Sequence, residues 1–322
     1  VYLLAYSFIR NHFDSKKALG ISFFTALLFA IHPVQVETVC WISASKIVLS
    51  TFFYLSALIC YIQYMRNSKW QYLLASVVSS ILAMGCKEQS VIIVPCLLLF
   101  DWMLFKRNMR SLKVYIEKVY YLIPAIAIFI VTLVANKNTG EEIIGYTIVD
   151  RFIFLCYSSF KYLLISAIPF KLSYLYPFPF QVGEKIPMAL WIYPFVILFI
   201  GYVIYLNRRK PLLVFCTLFF ILHLLPVLHV IPLPRYVVAA DRYLYIPYIA
   251  FAIGLSILSY HLYERQRKWI LYAGFLYCSY LCVYTAGYAP AWKNSDTLKE
   301  HFKEVLKKRE TNLSINFKHE KQ

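Results

Sequence analysis

Long apolar segments alternate with short charged ones along most of this chain. Each apolar segment comes close to the roughly 20 residues that an α-helix needs to cross a bilayer. They lack the ten-residue alternation of membrane β-strands. The segments are residues 18–31, 46–65, 70–86, 89–105, 119–135, 188–206, 211–231, 243–260 and 269–288. The pattern predicts an all-α polytopic membrane protein, built as a helix bundle.

The composition agrees with that prediction. Of 322 residues, 61% are hydrophobic and 15% are charged, whereas soluble domains are about half apolar and about a quarter charged. The net charge of +17 comes from Lys and Arg in the flanking loops, so we interpret it as a sign of membrane topology and expect membrane lipid, not nucleic acid, as partner. The eight cysteines show no metal-binding spacing. The sequence still allows a contact between Cys40 and Cys86 at one membrane face.

Two regions are predicted, a membrane domain over residues 1–288 and a polar tail over 289–322. Residues 1–10 are apolar but cover only half a span, so we expect them to be the end of a helix that starts before Val1. Residues 136–187 break the rhythm and are interpreted as a long external loop. Within it, the helix-like stretch 148–168 is expected to lie at the membrane interface or to re-enter.

Orientation follows from the distribution of Lys and Arg, because short basic loops stay in the cytoplasm. If 148–168 does not cross, one set of loops carries 16 basic residues in 37 positions and the opposite set carries 9 in 81. The first set, which we assign to the cytoplasm, is residues 10–17, 66–69, 106–118, 207–210 and 261–268. The tail is then external, although its eight basic residues favour the cytoplasm.

The predicted external face collects polar residues that could carry chemistry. Glu37 and Trp41 are four residues apart and would stack on one side of a short helix after Pro33. A carboxylate beside an aromatic ring suits a sugar hydroxyl or a cation. The alternative is a solvated glutamate and a tryptophan of the aromatic belt. His32 has two interpretations as well: it could contact a ligand, or it could be an interfacial histidine at the end of a span.

Cations on this face suggest phosphate binding. Lys87 lies with Glu88 in a tight turn between two spans and could hold a lipid phosphate as a point charge; both could instead be a pair that reaches out to the interface. Arg235 and Arg242 could bind a phosphate bidentately. Asp241 could contact a ligand or simply be the N-cap of the next helix.

The tail carries two weaker signals. Asn294 to Lys308 has the pattern of an amphipathic helix with Leu298, Phe302, Val305 and Leu306 on one side, and Ser295 is expected to cap it. Asn312 to Ser314 matches a glycosylation sequon, which matters only in a eukaryotic lumen.

Three segments carry a resemblance to a known family. Residues 32–43, 86–101 and 240–247 resemble, in the same order, the membrane part of the transmembrane and tetratricopeptide-repeat O-mannosyltransferase family and its bacterial relatives. Residues 292–298 look like the junction before the family's repeats. The chain departs from the family at Gln35-Val36, where a polar or His-Thr pair is expected, at Ser45-Lys46, where Arg or Lys with Asp is commoner, and in showing no repeats up to Gln322.

The resemblance implies a fold similar to C-type glycosyltransferases, with external loops and an external tail. These enzymes transfer a sugar, with mannose as the candidate here, from a polyprenyl-phosphate donor to a protein or glycan hydroxyl on the periplasmic or lumenal side, in a bacterial inner membrane or the endoplasmic reticulum. The general base would lie upstream of Val1. The resemblance assigns donor phosphate binding to Lys87, Arg235 and Arg242. It assigns acceptor or metal contacts, with a divalent metal left open, to His32, Glu37, Trp41, Glu88 and Asp241.

Two other function classes stay open at this point. A non-catalytic membrane scaffold would need only the helix bundle and a domain attached to the tail. A transporter would need polar residues deep in the spans and broken helices near the membrane midplane, and the apolar segments of this chain hold few charges.

Overall fold

The computed structural model describes residues 1–136, 145–173, 175–229 and 237–303. Among these residues, every regular element longer than a single bridge is a helix. One isolated antiparallel bridge joins Tyr176 to Ala239. The α-helices are α1 (Tyr2–Ile9), α2 (Ser15–Ile31), α3 (Val36–Cys40), α4 (Ser45–Asn67), α5 (Trp70–Cys86), α6 (Ile93–Met103), α7 (Leu112–Ile116), α8 (Val119–Asn136), α9 (Ile148–Ala167), α10 (Ile192–Leu206), α11 (Pro211–Leu224), α12 (Pro247–Arg265) and α13 (Arg267–Tyr288).

Most helices begin and end within a few residues of the apolar segments, but two are shorter than predicted. The segment 89–105 starts with a 3₁₀ turn at Glu88–Ile92, and α6 covers only Ile93–Met103, because the extended backbone of Lys87 interrupts the helix (φ −153°, ψ 124°). The segment 211–231 is helical only to Leu224 and then tightens into the 3₁₀ turn Leu225–Val227, which contains Pro226. Proline removes a backbone donor and ends a helix.

Among the described residues, three helical stretches are long and apolar enough to cross a membrane: Ile42–Asn67, Met188–Leu206 and Lys268–Trp292. A fourth is formed if α2 and Pro33–Cys40, which bend by 54° at their junction, count as one span. Large apolar side chains on α10 and α13, such as Phe195, Phe199 and Phe275, are exposed. A surface of this kind is typical of contact with lipid or with a partner. The helices therefore indicate membrane association.

The α4–α5 hairpin lies at the centre of the bundle, and α4 supplies much of its core. Tyr54, Leu58 and Tyr61 lie on one face of α4, at spacings of three and four residues, and all three are fully buried. α12 packs against α2 and α11 beside this hairpin. Because α4 runs the length of the bundle, it defines two ends. The site end is defined here as residues 32–46, 87–92 and 237–246; the opposite end contains Asn67 and the start of α8.

A buried ionic cluster closes the opposite end. Lys118 Nζ forms an ion pair with Asp101 Oδ2 at 2.6 Å. The Tyr61 hydroxyl donates a hydrogen bond to Asp101 Oδ1 at 2.5 Å. Arg107 bonds both carboxylate oxygens of Glu117, at 2.5 and 3.1 Å. These contacts join α4, α6 and the start of α8. Buried charges are tolerated because each is paired and hydrogen-bonded.

α9 begins with a capping box and, although it is 20 residues long, is not among the helices apolar enough to cross a membrane. Thr147 Oγ1 accepts from Asp150 N at 3.2 Å, and Asp150 Oδ2 accepts from Thr147 N at 2.7 Å. The helix covers Ile148–Ala167, in agreement with the predicted stretch 148–168. It packs on the start of α10 through Tyr157 and Tyr193, whose ring centroids are 5.0 Å apart. Its interfacial or re-entrant position stays a prediction.

The tail starts a helix that continues to residue 303, where the described part ends. Its cap is Asn294, whose Oδ1 accepts from the backbone N of Asp296 at 3.1 Å and of Thr297 at 2.8 Å. The prediction of Ser295 as cap is therefore wrong, because Ser295 is the first helical residue. The predicted positions Val305 and Leu306 and the sequon at Asn312 lie outside the described residues.

Candidate functional site

A cavity with an empty volume of about 440 Å³ opens at the site end. It is bounded by the start of α4, the turn after α5, the end of α11 and the segment before α12. Two half-buried cations, Lys87 and Arg242, form what we call the rim. The buried Thr51, Tyr54 and Ser90 form what we call the floor.

Glu37 reaches the site because the chain turns sharply after α2. His32 is extended (φ −73°, ψ 128°), and its Nδ1 accepts from Val34 N at 3.3 Å. Pro33 then opens a 3₁₀ turn that leads into α3, since its fixed φ suits the first position of a helix. α3 delivers the fully buried Glu37 against residues that follow 205 positions later in the chain.

Arg242 satisfies both oxygens of the Glu37 carboxylate. Its guanidinium NH1 donates to Oε1 at 2.5 Å, and its backbone N donates to Oε2 at 2.8 Å. The guanidinium carbon lies 5.5 Å from the Trp41 ring centroid and 5.1 Å from that of Tyr243. The side chain keeps 18% of its surface exposed. Arg242 is thus fixed by a carboxylate and two rings but still borders the cavity.

Lys87 faces the same cavity without a carboxylate partner. Among the described residues it forms no ion pair, and its Nζ lies 5.7 Å from the Tyr243 ring centroid. Burial, reinforced by the positive charges of Arg242 and Lys46, lowers the pKa of Lys87 to about 8. Two cations that border one cavity favour an anionic ligand.

Asp241 lies beside the site but does not line the cavity. It is fully buried, its Oδ1 accepts from the Tyr176 hydroxyl at 2.8 Å, and its Oδ2 has no partner in the described part of the chain. Burial and then the charge of Glu37 raise the pKa of Asp241 well above its usual range. The N-cap alternative is wrong, because α12 starts only at Pro247 and its N-cap is Ile246.

The other predicted site residues occupy different positions. His32 is fully buried with its ring centroid 4.2 Å from that of Tyr248, and it does not line the cavity. Trp41 is half-buried beside Arg242. Glu88 is exposed and also outside the lining. Arg235 lies outside the described residues. The structure therefore brings together Lys87, Arg242, Glu37 and Trp41.

The sequence analysis missed the residues of the floor and the histidine behind them. Thr51 and Tyr54 lie within an apolar segment that was interpreted only as a span, and His223 lies within another. A signal was present, since Ser50, Thr51 and Tyr54 place hydroxyls on adjoining positions of one helix face near its start. Polar side chains inside a span usually face the bundle interior or a cavity.

The metal contacts that the resemblance implies do not fit this site. Among the described residues, no group of three or more His, Cys, Asp or Glu side chains could hold a metal ion. Both oxygens of Glu37 are engaged by Arg242, and Glu88 lies outside the cavity lining. All eight cysteines, including Cys40 and Cys86, are free thiols. No step is therefore derived through a metal.

Comparison of the chain with known protein families, with characterised proteins and with solved structures finds no match. A functional interpretation must therefore be argued from the chemistry of the cavity. That chemistry consists of a cationic rim, a floor of neutral hydroxyls, and a lining that contains no Asp or Glu.

Proposed function

We propose that this protein is a membrane glycosyltransferase that transfers a sugar, with mannose as the first candidate, from a polyprenyl-phosphate donor to a hydroxyl of a protein or glycan acceptor. The observation that carries the proposal is the meeting of Lys87 and Arg242 at one cavity that no carboxylate of the described residues lines. On the topology argued from the basic loops, this cavity opens to the periplasm or lumen.

A lipid-linked phosphate suits this site in charge and in location. Lys87 is half-buried and has no ion-pair partner among the described residues, so an arriving anion offsets the cost of keeping its charge away from water. Arg242 is already oriented by Glu37 and loses little freedom when it binds. The start of α4, a helix of membrane length, borders the site, so an apolar lipid tail can stay in the bilayer.

The rim residues can contribute to the reaction by stabilising the leaving group. The acceptor hydroxyl attacks the anomeric carbon and gives its proton to a base; the bond from that carbon to the phosphate oxygen breaks, and polyprenyl phosphate departs with the electron pair. Preorganised cations stabilise the negative charge that grows on the phosphate. Lys87 and Arg242 take this role, and Glu37 positions Arg242.

Neither nearby carboxyl group is assigned as the base. Glu37 uses both oxygens for Arg242, and Asp241 is fully buried outside the cavity lining. A scaffold without activity would have no use for an unpaired, half-buried lysine in a cavity.

Transfer in vesicles tests the proposal. The full-length protein is reconstituted, and radiolabelled polyprenyl-phosphate mannose is supplied with a peptide rich in serine and threonine. Lys87→Ala and Arg242→Ala should each slow transfer by about 100-fold, the usual effect of removing one charge-stabilising group. Lys113→Ala, an exposed lysine in α7, should change nothing. Unchanged transfer in the two rim variants would overturn the proposal.

A further inference from the structure

The floor of the cavity differs chemically from its rim. Thr51, Tyr54 and Ser90 are 4%, 0% and 4% exposed, and each bears a neutral hydroxyl. Counting the protons of these groups shows which kind of ligand atom they can meet, because a hydroxyl has one proton to donate and two lone pairs to accept.

Ser90 can only accept a hydrogen bond from a ligand. Ser50 Oγ donates to the carbonyl oxygen of Ala83 at 2.9 Å, and a carbonyl oxygen has no proton to give. The single proton of Ser50 is therefore used, so the 2.7 Å contact between the two serines must be donated by Ser90. The proton of Ser90 is used in turn, and its oxygen keeps a lone pair toward the cavity.

Tyr54 is in the same situation because of His223. The Nδ1 atom of His223 lies 2.8 Å from the carbonyl oxygen of Phe219, so this nitrogen carries the ring proton. In the neutral ring, Nε2 then has a lone pair and accepts from the Tyr54 hydroxyl at 2.8 Å. The tyrosine proton is used, and the hydroxyl oxygen, which also contacts the thiol of Cys96, can only accept from a ligand.

Thr51 is the hydroxyl whose proton is still free. Its Oγ1 is buried and has no hydrogen-bond partner in the described part of the chain, although the residue lines the cavity. A buried polar group without a partner destabilises the fold, and a ligand that bonds it removes that cost. The floor thus offers two acceptors and one hydroxyl that can donate or accept.

The cavity lining excludes a positively charged donor group for this floor. Within the described part of the chain no Asp or Glu lines the cavity, whereas Lys87 and Arg242 border it, so an ammonium group would be repelled by both. Neutral hydroxyls are the donors that remain.

We propose that Thr51, Tyr54 and Ser90 form a subsite for the sugar hydroxyls of the donor, with His223 positioning the Tyr54 hydroxyl. This inference rests on the proposed function. The donor phosphate lies at the rim, between Lys87 and Arg242, and the sugar ring points to the floor. The subsite selects donors whose sugar carries free hydroxyls, and it contributes nothing to binding of the same lipid without its sugar.

The test compares two ligands on the same protein in lipid nanodiscs, polyprenyl-phosphate mannose and sugar-free polyprenyl phosphate. Thr51→Val keeps the side-chain shape and breaks no bond recorded in the described part of the chain, so it should fold normally. It should weaken binding of the mannosylated lipid by about threefold to tenfold, the worth of one hydrogen bond. Binding of the sugar-free lipid should be unchanged. Tyr54→Phe should show the same selective loss.

Thr38→Val is the matched control, because Thr38 is also a buried threonine without a partner among the described residues but does not line the cavity. It should affect neither ligand. If Thr51→Val binds both lipids as the unmodified protein does, or weakens both equally, the sugar subsite is refuted. If instead Lys87→Ala and Arg242→Ala leave the binding of both lipids unchanged, the proposed function itself fails.

Discussion

At the residue scale, the site depends on how Arg242 is held. Glu37 occupies one edge of its guanidinium, and the rings of Trp41 and Tyr243 lie 5.5 and 5.1 Å from its central carbon. A side chain that is already ordered loses less entropy when it binds a ligand. Glu37 therefore acts on a ligand through Arg242 and not by direct contact.

Glu37→Gln should lower both stability and donor affinity. The variant keeps an acceptor for Arg242 but removes the buried negative charge, and a hydrogen bond to a charged group is worth about 1.5–3 kcal/mol. We expect a loss of about 2 kcal/mol in the free energy of unfolding, measured by thermal unfolding in detergent. Glu88→Gln, an exposed carboxylate beside Lys87, should cost close to nothing. An equal loss in both variants would contradict the role of Glu37.

Donor binding should weaken as the pH rises from 7 to 9. The pKa of Lys87 is lowered to about 8, so its charge is largely present at pH 7 and largely lost at pH 9, whereas the bound phosphate favours the charged form. Titrating the dissociation constant against pH measures this effect. Lys87→Arg should flatten the curve because arginine stays protonated. A pH-independent affinity in the unmodified protein would exclude Lys87 as a phosphate ligand.

Asp241→Asn should be tolerated while Asp241→Ala should not. Burial raises the pKa of Asp241 well above its usual range, so the neutral carboxyl resembles an amide, and Asn can still accept from Tyr176. Alanine leaves that buried hydroxyl without its acceptor, which costs about 1–3 kcal/mol. Thermal unfolding of the two variants at pH 7 measures the difference; a larger loss for Asn than for Ala would contradict a neutral Asp241.

Sequence reasoning could find the cations but not their partners. Lys87 and Arg242 could be predicted because charges next to apolar segments are costly and conspicuous. The pairing of Glu37 with Arg242 joins residues 205 positions apart, and no local pattern indicates it. Thr51 and Tyr54 were missed because hydroxyls inside an apolar segment hardly change its hydropathy.

At the scale of elements, the helices could be predicted and their interruptions could not. Apolar periodicity places α4, α5 and α9 to within a few residues. Around the cavity, however, the chain forms the 3₁₀ turns Pro33–Gln35, Ile42–Ala44, Glu88–Ile92 and Asp241–Leu244. These short turns depend on tertiary contacts such as that of Glu37 with the backbone of Arg242. They deliver the side chains of the rim.

The ionic cluster at the opposite end should affect stability without affecting the site. Asp101→Asn removes the nearer charge partner of the buried Lys118 and leaves only Glu117 at 3.8 Å, which should cost about 3 kcal/mol in thermal unfolding. Donor affinity should be unchanged, because the cluster lies at the other end of α4. Asp14→Asn is the control, since Asp14 pairs with Lys17 at 3.8 Å in an exposed position and such pairs contribute little. Lost donor affinity in Asp101→Asn would show that the two ends are coupled.

At the scale of the whole molecule, the two ends of the bundle should face opposite sides of the membrane. Arg208 follows α10 at the opposite end, and Ser295 follows α13 at the site end. In a background without the native cysteines, Arg208→Cys should react with an impermeant thiol reagent only from the cytoplasm, because basic loops stay there. Ser295→Cys should react only from outside. Labelling of both positions from the cytoplasm would reverse the proposed location of the cavity.

A structure of the protein with a non-hydrolysable polyprenyl-phosphate mannose analogue tests the proposed donor site most directly. We expect the phosphate within about 4 Å of both Lys87 Nζ and the Arg242 guanidinium, the distance of an ion pair. The sugar should lie toward Thr51 and Tyr54. A headgroup bound elsewhere, or a cavity that stays empty at a saturating concentration of the analogue, would contradict the assignment of this cavity as the donor site.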